Sequence, residues 1–188
     1  MLLNALRVLE ETLRQYLLPG TINRNRAPLV YIRPPRRNGD EAHTAGNALC
    51  LCLVSLEREP YAVGSVPQDT EPGTLPLYVN LNVLLFADFT DYAEALFFLS
   101  EGIACFQNRN SFTPEDFPQI DFPGQSLRLE PVFIPPEHSA AMWQQLGSPL
   151  LPGVLYKVRM LRFQREQRQK EAAAASVLSG LLWWKKSK

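Results

Sequence analysis

The longest patterned stretch of the chain runs from Leu75 to Asn108. Its first half alternates with period two. Leu77, Val79, Leu81, Val83 and Leu85 project to one side, and Tyr78, Asn80, Asn82, Leu84 and Phe86 to the other. That spacing predicts a strand with one face in a core and one face mixed. Ala87, Asp88 and Phe89 are expected to break the alternation, with Thr90 or Asp91 capping a helix entered at Tyr92. Tyr92, Leu96, Leu99, Ile103 and Phe106 recur at steps of three and four, which predicts an apolar stripe that Phe97 and Phe98 widen. A strand delivering its chain into a helix that folds back over it makes one α/β layer.

The flanking segments follow the same two periods. Leu2, Leu6, Leu9, Leu13 and Leu17 share a face, so Met1 to Leu18 reads as an amphipathic core helix ended by Pro19-Gly20. Leu29 to Ile32 is a short strand stopped by Pro34-Pro35. Arg36 to Gly46 is polar and reads as a loop whose Arg36-Arg37 pair is solvated. Ala48 to Leu56 is apolar on both faces, as an interior strand covered on both sides would be. Glu57 to Thr74 carries several Pro and Gly residues and reads as a long connection, an extended hairpin arm between two core strands. After the Leu75–Asn108 unit, a loop rich in Pro and Asp leads to Gly124. Ser126 to Ile134 alternates Leu127, Leu129 and Phe133 against Arg128, Glu130 and Val132, with Pro131 requiring an edge position or a bulge. Pro135-Pro136-Glu137 opens a short helix to Gly147 that carries Trp143, read as a core anchor in preference to a contact residue. Val154 to Phe163 is the last strand; its Lys157, Arg159 and Arg162 suggest a rim or a partner surface.

These elements make a single α/β (α+β) domain over residues 1–163, with a mixed or antiparallel sheet packed by the N-terminal helix and the second long helix. Residues 164–188 form a C-terminal tail of different composition. Arg165 to Glu171 is polar and helix-prone, four alanines follow, and Val177, Leu178, Leu181, Leu182, Trp183, Trp184, Lys185 and Lys186 make an apolar, aromatic hook with a basic end. Aromatic residues of this kind anchor protein interfaces. Docking on a partner protein is therefore preferred over a loose tail, and membrane contact ranks third.

Composition narrows the function classes. The chain has 188 residues, an apolar fraction of 46% and a formal charge of zero, so no basic surplus argues for nucleic acid. The 16 prolines fall mostly in connections and mark element boundaries. Three cysteines are a poor disulfide framework. Cys50 and Cys52 share one strand face, and Cys105 sits in the helix beside Phe106, so all three read as small core residues in a reducing compartment. His43 and His138 sit in no metal-binding spacing. Phosphate loops, dinucleotide fingerprints, nucleophile elbows and zinc-protease motifs are missing. A thiol in an apolar strand lacks the environment that makes a thiolate. No catalytic residue, cofactor site or metal site is assigned, and an enzyme is not expected. Arg7, Glu10, Glu11 and Arg14 argue against a signal peptide, and no run reaches the ~18 apolar residues a bilayer span needs, so the chain is expected in the cytoplasm when made.

The order of segments carries a resemblance. The N-terminal helix, then Asn47-Ala48-Leu49-Cys50-Leu51-Cys52-Leu53, then Pro76 to Phe86 and its helix, lead into Leu127-Arg128-Leu129-Glu130-Pro131. Met142 to Gly147 and Val154-Leu155-Tyr156-Lys157-Val158-Arg159 close the series. Over roughly Leu2 to Phe163 this resembles the tail-cap, or sheath-terminator, family of contractile injection systems of the antifeeding-prophage and virulence-cassette type. The resemblance implies a tail-terminator fold, a ring of six copies on the last tube and sheath layer, no catalysis and no cofactor. It implies self, sheath and inner-tube proteins as partners, and incorporation into a phage-tail-like particle. Leu181, Leu182, Trp183, Trp184, Lys185 and Lys186 are then the leading partner-binding residues, and the Glu57–Thr74 arm the second candidate. A tail-completion or head–tail connector protein of a contractile phage is one alternative. The other is a peripheral membrane adaptor using the Trp-rich end.

Overall fold

The computed structural model describes residues 1–18, 29–36, 47–59, 77–122, 124 and 126–163, with the backbone alone described at 160–163. In order these are α1 (Leu2–Tyr16), β1 (Leu29–Ile32), β2 (Ala48–Arg58), β3 (Leu77–Asp88), α2 (Tyr92–Asn108), β4 (Ser111–Phe112), a 3-10 turn (Pro114–Asp116), β5 (Leu127–Val132), α3 (Pro136–Leu146) and β6 (Gly153–Phe163). The described strands form one six-stranded sheet in the order β1-β2-β3-β6-β5-β4. Only β1 runs parallel to its neighbour; the other pairings are antiparallel. The mixed sheet, the N-terminal helix and the second long helix agree with the pattern read from the chain.

Strand β3 sits centrally and sorts its residues by parity. Val79, Leu81, Val83, Leu85 and Ala87 enter a core shared with α1 and α2, while Leu84 and Phe86 face a smaller cluster containing Trp143 of α3. Ala87 and Asp88 continue this alternation instead of ending it, so the strand is longer than the pattern suggested. Asp91 then caps α2, its carboxylate accepting from the Glu94 N–H at 2.9 Å. Helix α1 buries Ala5, Leu6, Val8, Leu9 and Leu13, with Leu17 just beyond its end, as its leucine spacing requires.

Helix α2 turns a different stripe inward. Its buried residues are Ala95, Phe98, Leu99, Gly102, Cys105 and Phe106, whereas Tyr92, Leu96 and Ile103 remain 67%, 43% and 40% exposed. Small residues decide the orientation. A Cβ on Gly102 would lie 3.1 Å from Leu85, 3.4 Å from Leu49 and 3.7 Å from Leu13, so the glycine lets the helix seat closely against β3, β2 and α1 together. The larger residues of the expected stripe cannot occupy that contact, and the helix is rotated by about a quarter turn.

The segment after α2, expected to be only a loop, contributes to the core. Phe112 and Phe117 are buried, packed 6.1 Å apart. A Thr113–Asp116 capping box orders the 3-10 turn between them. Arg109 stacks over both rings and pairs with Asp116 at 2.7 Å. Cation–π attraction and ion pairing therefore hold the same guanidinium.

Candidate interaction surfaces

Two ionic clusters flank the small apolar core on the α3 side of the sheet. At one end, Asp88 is 1% exposed and accepts hydrogen bonds from Arg33 and, through both oxygens, from Arg36. Burial pushes its carboxyl up, but the Arg36 and Arg33 bonds outweigh this and hold it below the usual carboxylate range. Arg36 is thus bound, which corrects the expectation of a solvated Arg36-Arg37 pair; Arg37 lies outside the described residues. Between the clusters, Trp143 is buried and meets the Phe86 ring edge-on at 6.1 Å. It is the core anchor the sequence suggested.

The other cluster exists because β2 contains a bulge. Leu53 pairs with Val83 and Ser55 with Asn82, so Val54 is an extra residue and the parity of β2 inverts beyond it. Ser55 and Glu57 consequently join the face carrying Asn80 and Asn82. The Asn82 amide donates to Ser55 at 2.9 Å and to Glu57 at 2.6 Å, and the Asn80 amide donates to Glu59 at 2.7 Å. From β6, Lys157 pairs with Glu57 at 2.7 Å, and Arg159 reaches Glu130 at 2.8 Å and Glu59 at 3.6 Å. Arg128 lies 3.5 Å from Glu130. Glu57 is held low by the Lys157 ammonium and then by the Asn82 amide. Lys157 and Arg159, read from the sequence as rim or partner residues, are spent on intramolecular pairs. Glu57 and Arg58, read as the start of a long arm, belong to β2 and Glu59 is buried; residues 60–74 of that arm lie outside the described residues.

The sheet edges differ from its interior. Among the described residues, β4 covers only Leu127 and Arg128 of β5 on one side, and the Leu129 N–H donates outward to Asn110 at 2.8 Å. By strand alternation the nitrogen of Pro131 also faces outward, and it has no hydrogen to offer. On the other side, β1 is four residues long, and Arg14 of α1 donates to the Val30 carbonyl. Short strands, a proline and a side chain on a backbone acceptor all blunt an edge as a template.

The three cysteines lack the setting that makes a reactive thiolate. Burial pushes the thiols of Cys50 and Cys105 up to about 12 and raises Cys52. Among the described residues no group of three or more His, Cys, Asp or Glu could hold a metal ion, and no helix is long and apolar enough to cross a membrane. A shallow cleft of about 500 Å³ is lined by Pro136, Ala140, Trp143, Gln144 and Leu150 along α3. The hook residues Leu181, Leu182, Trp183, Trp184, Lys185 and Lys186 lie outside the described residues.

With this geometry in view, one family model, described as the Pvc16 N-terminal domain, matches residues 5–176. The chain belongs to the Pvc16 N-terminal domain family. The match runs from the first turn of α1 through β6 and stops just before Val177. Among solved structures, this Pvc16-type domain is similar to the sheath/tube terminator of an extracellular contractile injection system, PVC, in its extended state. The two share a TM-score of 0.57 and 14% identity over 89% of this chain and 57% of that one. It is similar in the same degree to the tube-terminating cap of the anti-feeding prophage, with TM-score 0.57 and 14% identity over 88% of this chain and 56% of that one. The Pvc16-type chain therefore spans little more than half the length of these two structures. At that identity the likeness is one of fold: a mixed α/β domain of the tube-terminator type. No curated protein matches the chain.

Proposed function

We propose that the chain is a structural cap, a tail terminator that sits on the last tube and sheath layer of a phage-tail-like contractile injection particle and stops its growth. The reading is carried by the match to the Pvc16 N-terminal domain across residues 5–176, together with folds shared with a sheath/tube terminator and a tube-terminating cap. The sheet edges supply the physical reason. A growing layer presents unpaired strand edges and complementary surfaces to the next subunit. A terminator occupies that layer and offers a poor template in turn, as the Pro131 edge and the four-residue β1 do.

In this reading the chain acts as a homohexameric ring, with sheath and inner-tube proteins as its partners and no catalytic step. Ring closure keeps the contact from continuing as a filament, and several weak contacts acting together give the avidity a cap needs. The chain is made in the cytoplasm and built into the particle. Residues 1–163 form the core domain and 164–188 the docking tail. Purified chain added to assembling sheath and tube should arrest growth at amounts far below one copy per subunit. Unchanged growth at equimolar addition would refute the reading.

A further inference from the structure

Helix α2 has two distinct flanks. Cys105 lies on one, where its thiol faces the Thr12 carbonyl of α1 at 3.8 Å. Phe106 lies on the other, meeting the buried Tyr156 of β6 edge-on at 5.3 Å. Tyr92, Leu96, Leu99 and Ile103 precede Phe106 at helical spacing and share its flank, so they look toward β6 and away from α1. Leu99 and Phe106 close the bottom of this flank, while Tyr92, Leu96 and Ile103 stay exposed. No charged residue falls on this line of the helix. The floor beside it is β6, whose Val154 and Tyr156 belong to the same core cluster. An uncharged apolar strip of this kind, open on an otherwise well-packed face, marks a contact site.

The chain itself supplies a segment that fits. The family match ends at residue 176, and Val177, Leu178, Leu181, Leu182, Trp183 and Trp184 follow at once, an apolar run outside the domain's own match. Strand β6, which floors the strip, is also the element from which this tail leaves at Phe163. From Phe163 to Leu181 the chain spans ~27 Å if helical and up to ~60 Å if extended, while α2 with its 17 residues is ~25 Å long. Phe163 pairs with Leu77, the end of β3 farthest from Tyr92, so it is the extended span that brings the hook to the strip. Leucine and tryptophan side chains bury large area against such a surface.

We propose that Leu181, Leu182, Trp183 and Trp184 dock on the α2 flank formed by Tyr92, Leu96 and Ile103. The inference rests on the reading of residues 164–188 as a docking tail and assigns that tail its seat. It is tested by iodide quenching of tryptophan fluorescence in the full chain. Of the three tryptophans Trp143 is already buried, so the measurement reports on Trp183 and Trp184. In the wild type the emission is protected. Leu96→Asp combined with Ile103→Asp should render two of the three tryptophans accessible, and the milder Leu96→Ser, Ile103→Ser pair should do so in part. Leu96→Met with Ile103→Leu should keep the protection, as should Leu3→Asp on the exposed side of α1. Circular dichroism and melting curves confirm that each variant is folded. Free access of iodide to Trp183 and Trp184 in the wild type overturns the proposal, as does full protection in the folded double-Asp variant. Either result leaves the capping role standing. A chain cut after Phe163 that still caps particles overturns instead the docking-tail reading beneath it.

Discussion

The two faces of the sheet are closed by different physics. On the α1–α2 face, leucines and valines from β1, β2, β3 and β6 meet two helices and the Phe112–Phe117 segment in one continuous apolar core. On the α3 face, apolar packing is confined to the middle, around Phe86, Leu84, Cys50 and Trp143, and charge closes both ends. The first arrangement draws its stability from area removed from water and is indifferent to pH. The second depends on polar groups that must all be satisfied, because each is costly if left alone. One face thus supplies a rigid body, and the other fixes the strand register across the bulges that shape it. The proposed capping role would draw on both, a firm body and a defined outline to fit its neighbours.

The sharpest way to break this contrast is to remove a large residue from each face. Leu85→Ala, at a fully buried position of the larger core, should cost ~2–5 kcal/mol. Trp143→Ala should cost ~3–5 kcal/mol and leave α3 without its anchor. Denaturant melts give both values. If the account of the faces is right, hydrogen exchange near α3 in Trp143→Ala will quicken while α1 stays protected.

Next in size is the ion cluster at Asp88. Replacing it with Asn leaves Arg33 and Arg36, both partly exposed, beside a neutral amide, and losing such charged hydrogen bonds costs ~1.5–3 kcal/mol. The pH dependence has a definite sign. Asp88 and Glu57 both titrate below their unfolded values, so their contribution is fully present above about pH 5 and is lost as pH falls through the folded-state values. Thermal melts of the wild type should therefore weaken on acidification below about pH 5, and Asp88→Asn should flatten that dependence.

Gly153→Ala probes the junction of the two faces. Its Cβ would lie 2.9 Å from the Leu85 carbonyl oxygen and 3.2 Å from the Phe86 Cβ, and backbone there cannot swing aside. A loss of ~1–3 kcal/mol is expected. Smallest is Glu57→Gln: the Lys157 pair is half open to solvent, and such pairs contribute ~0–1 kcal/mol. A larger loss would mean that the Asn82–Glu57–Lys157 bonds act as a unit, which a double-mutant cycle with Asn82→Ala would measure.

Much of this architecture was legible in periodicity alone. The leucine spacing of α1 reappears as burial, the alternation of β3 as a sorting of buried side chains between two clusters, and the two-sided apolarity of β2 as burial from Ala48 to Cys52. The α2 face was not legible, because Leu96, Phe97, Phe98 and Leu99 make that helix apolar around most of its circumference. The choice fell to Gly102 and Ala95, whose value is what they lack. The Glu57–Asn82–Lys157 network was hidden for another reason: a single extra residue at Val54 inverts which side chains share a face, and no alternation pattern announces a bulge. The Arg33 and Arg36 contacts to Asp88 join residues more than fifty positions apart, a distance that local spacing cannot bridge. Pro131, by contrast, pointed directly to an edge or a bulge, since a proline cannot serve an interior ladder, and it lies beyond the two residues that β4 covers.

The capping role is tested most directly by electron microscopy of particles from a producing strain with this gene deleted. The account predicts tubes and sheaths with unfinished ends and a broad spread of lengths, restored to one length and a closed tip by the full chain. Deletion particles of uniform length with finished tips would contradict it.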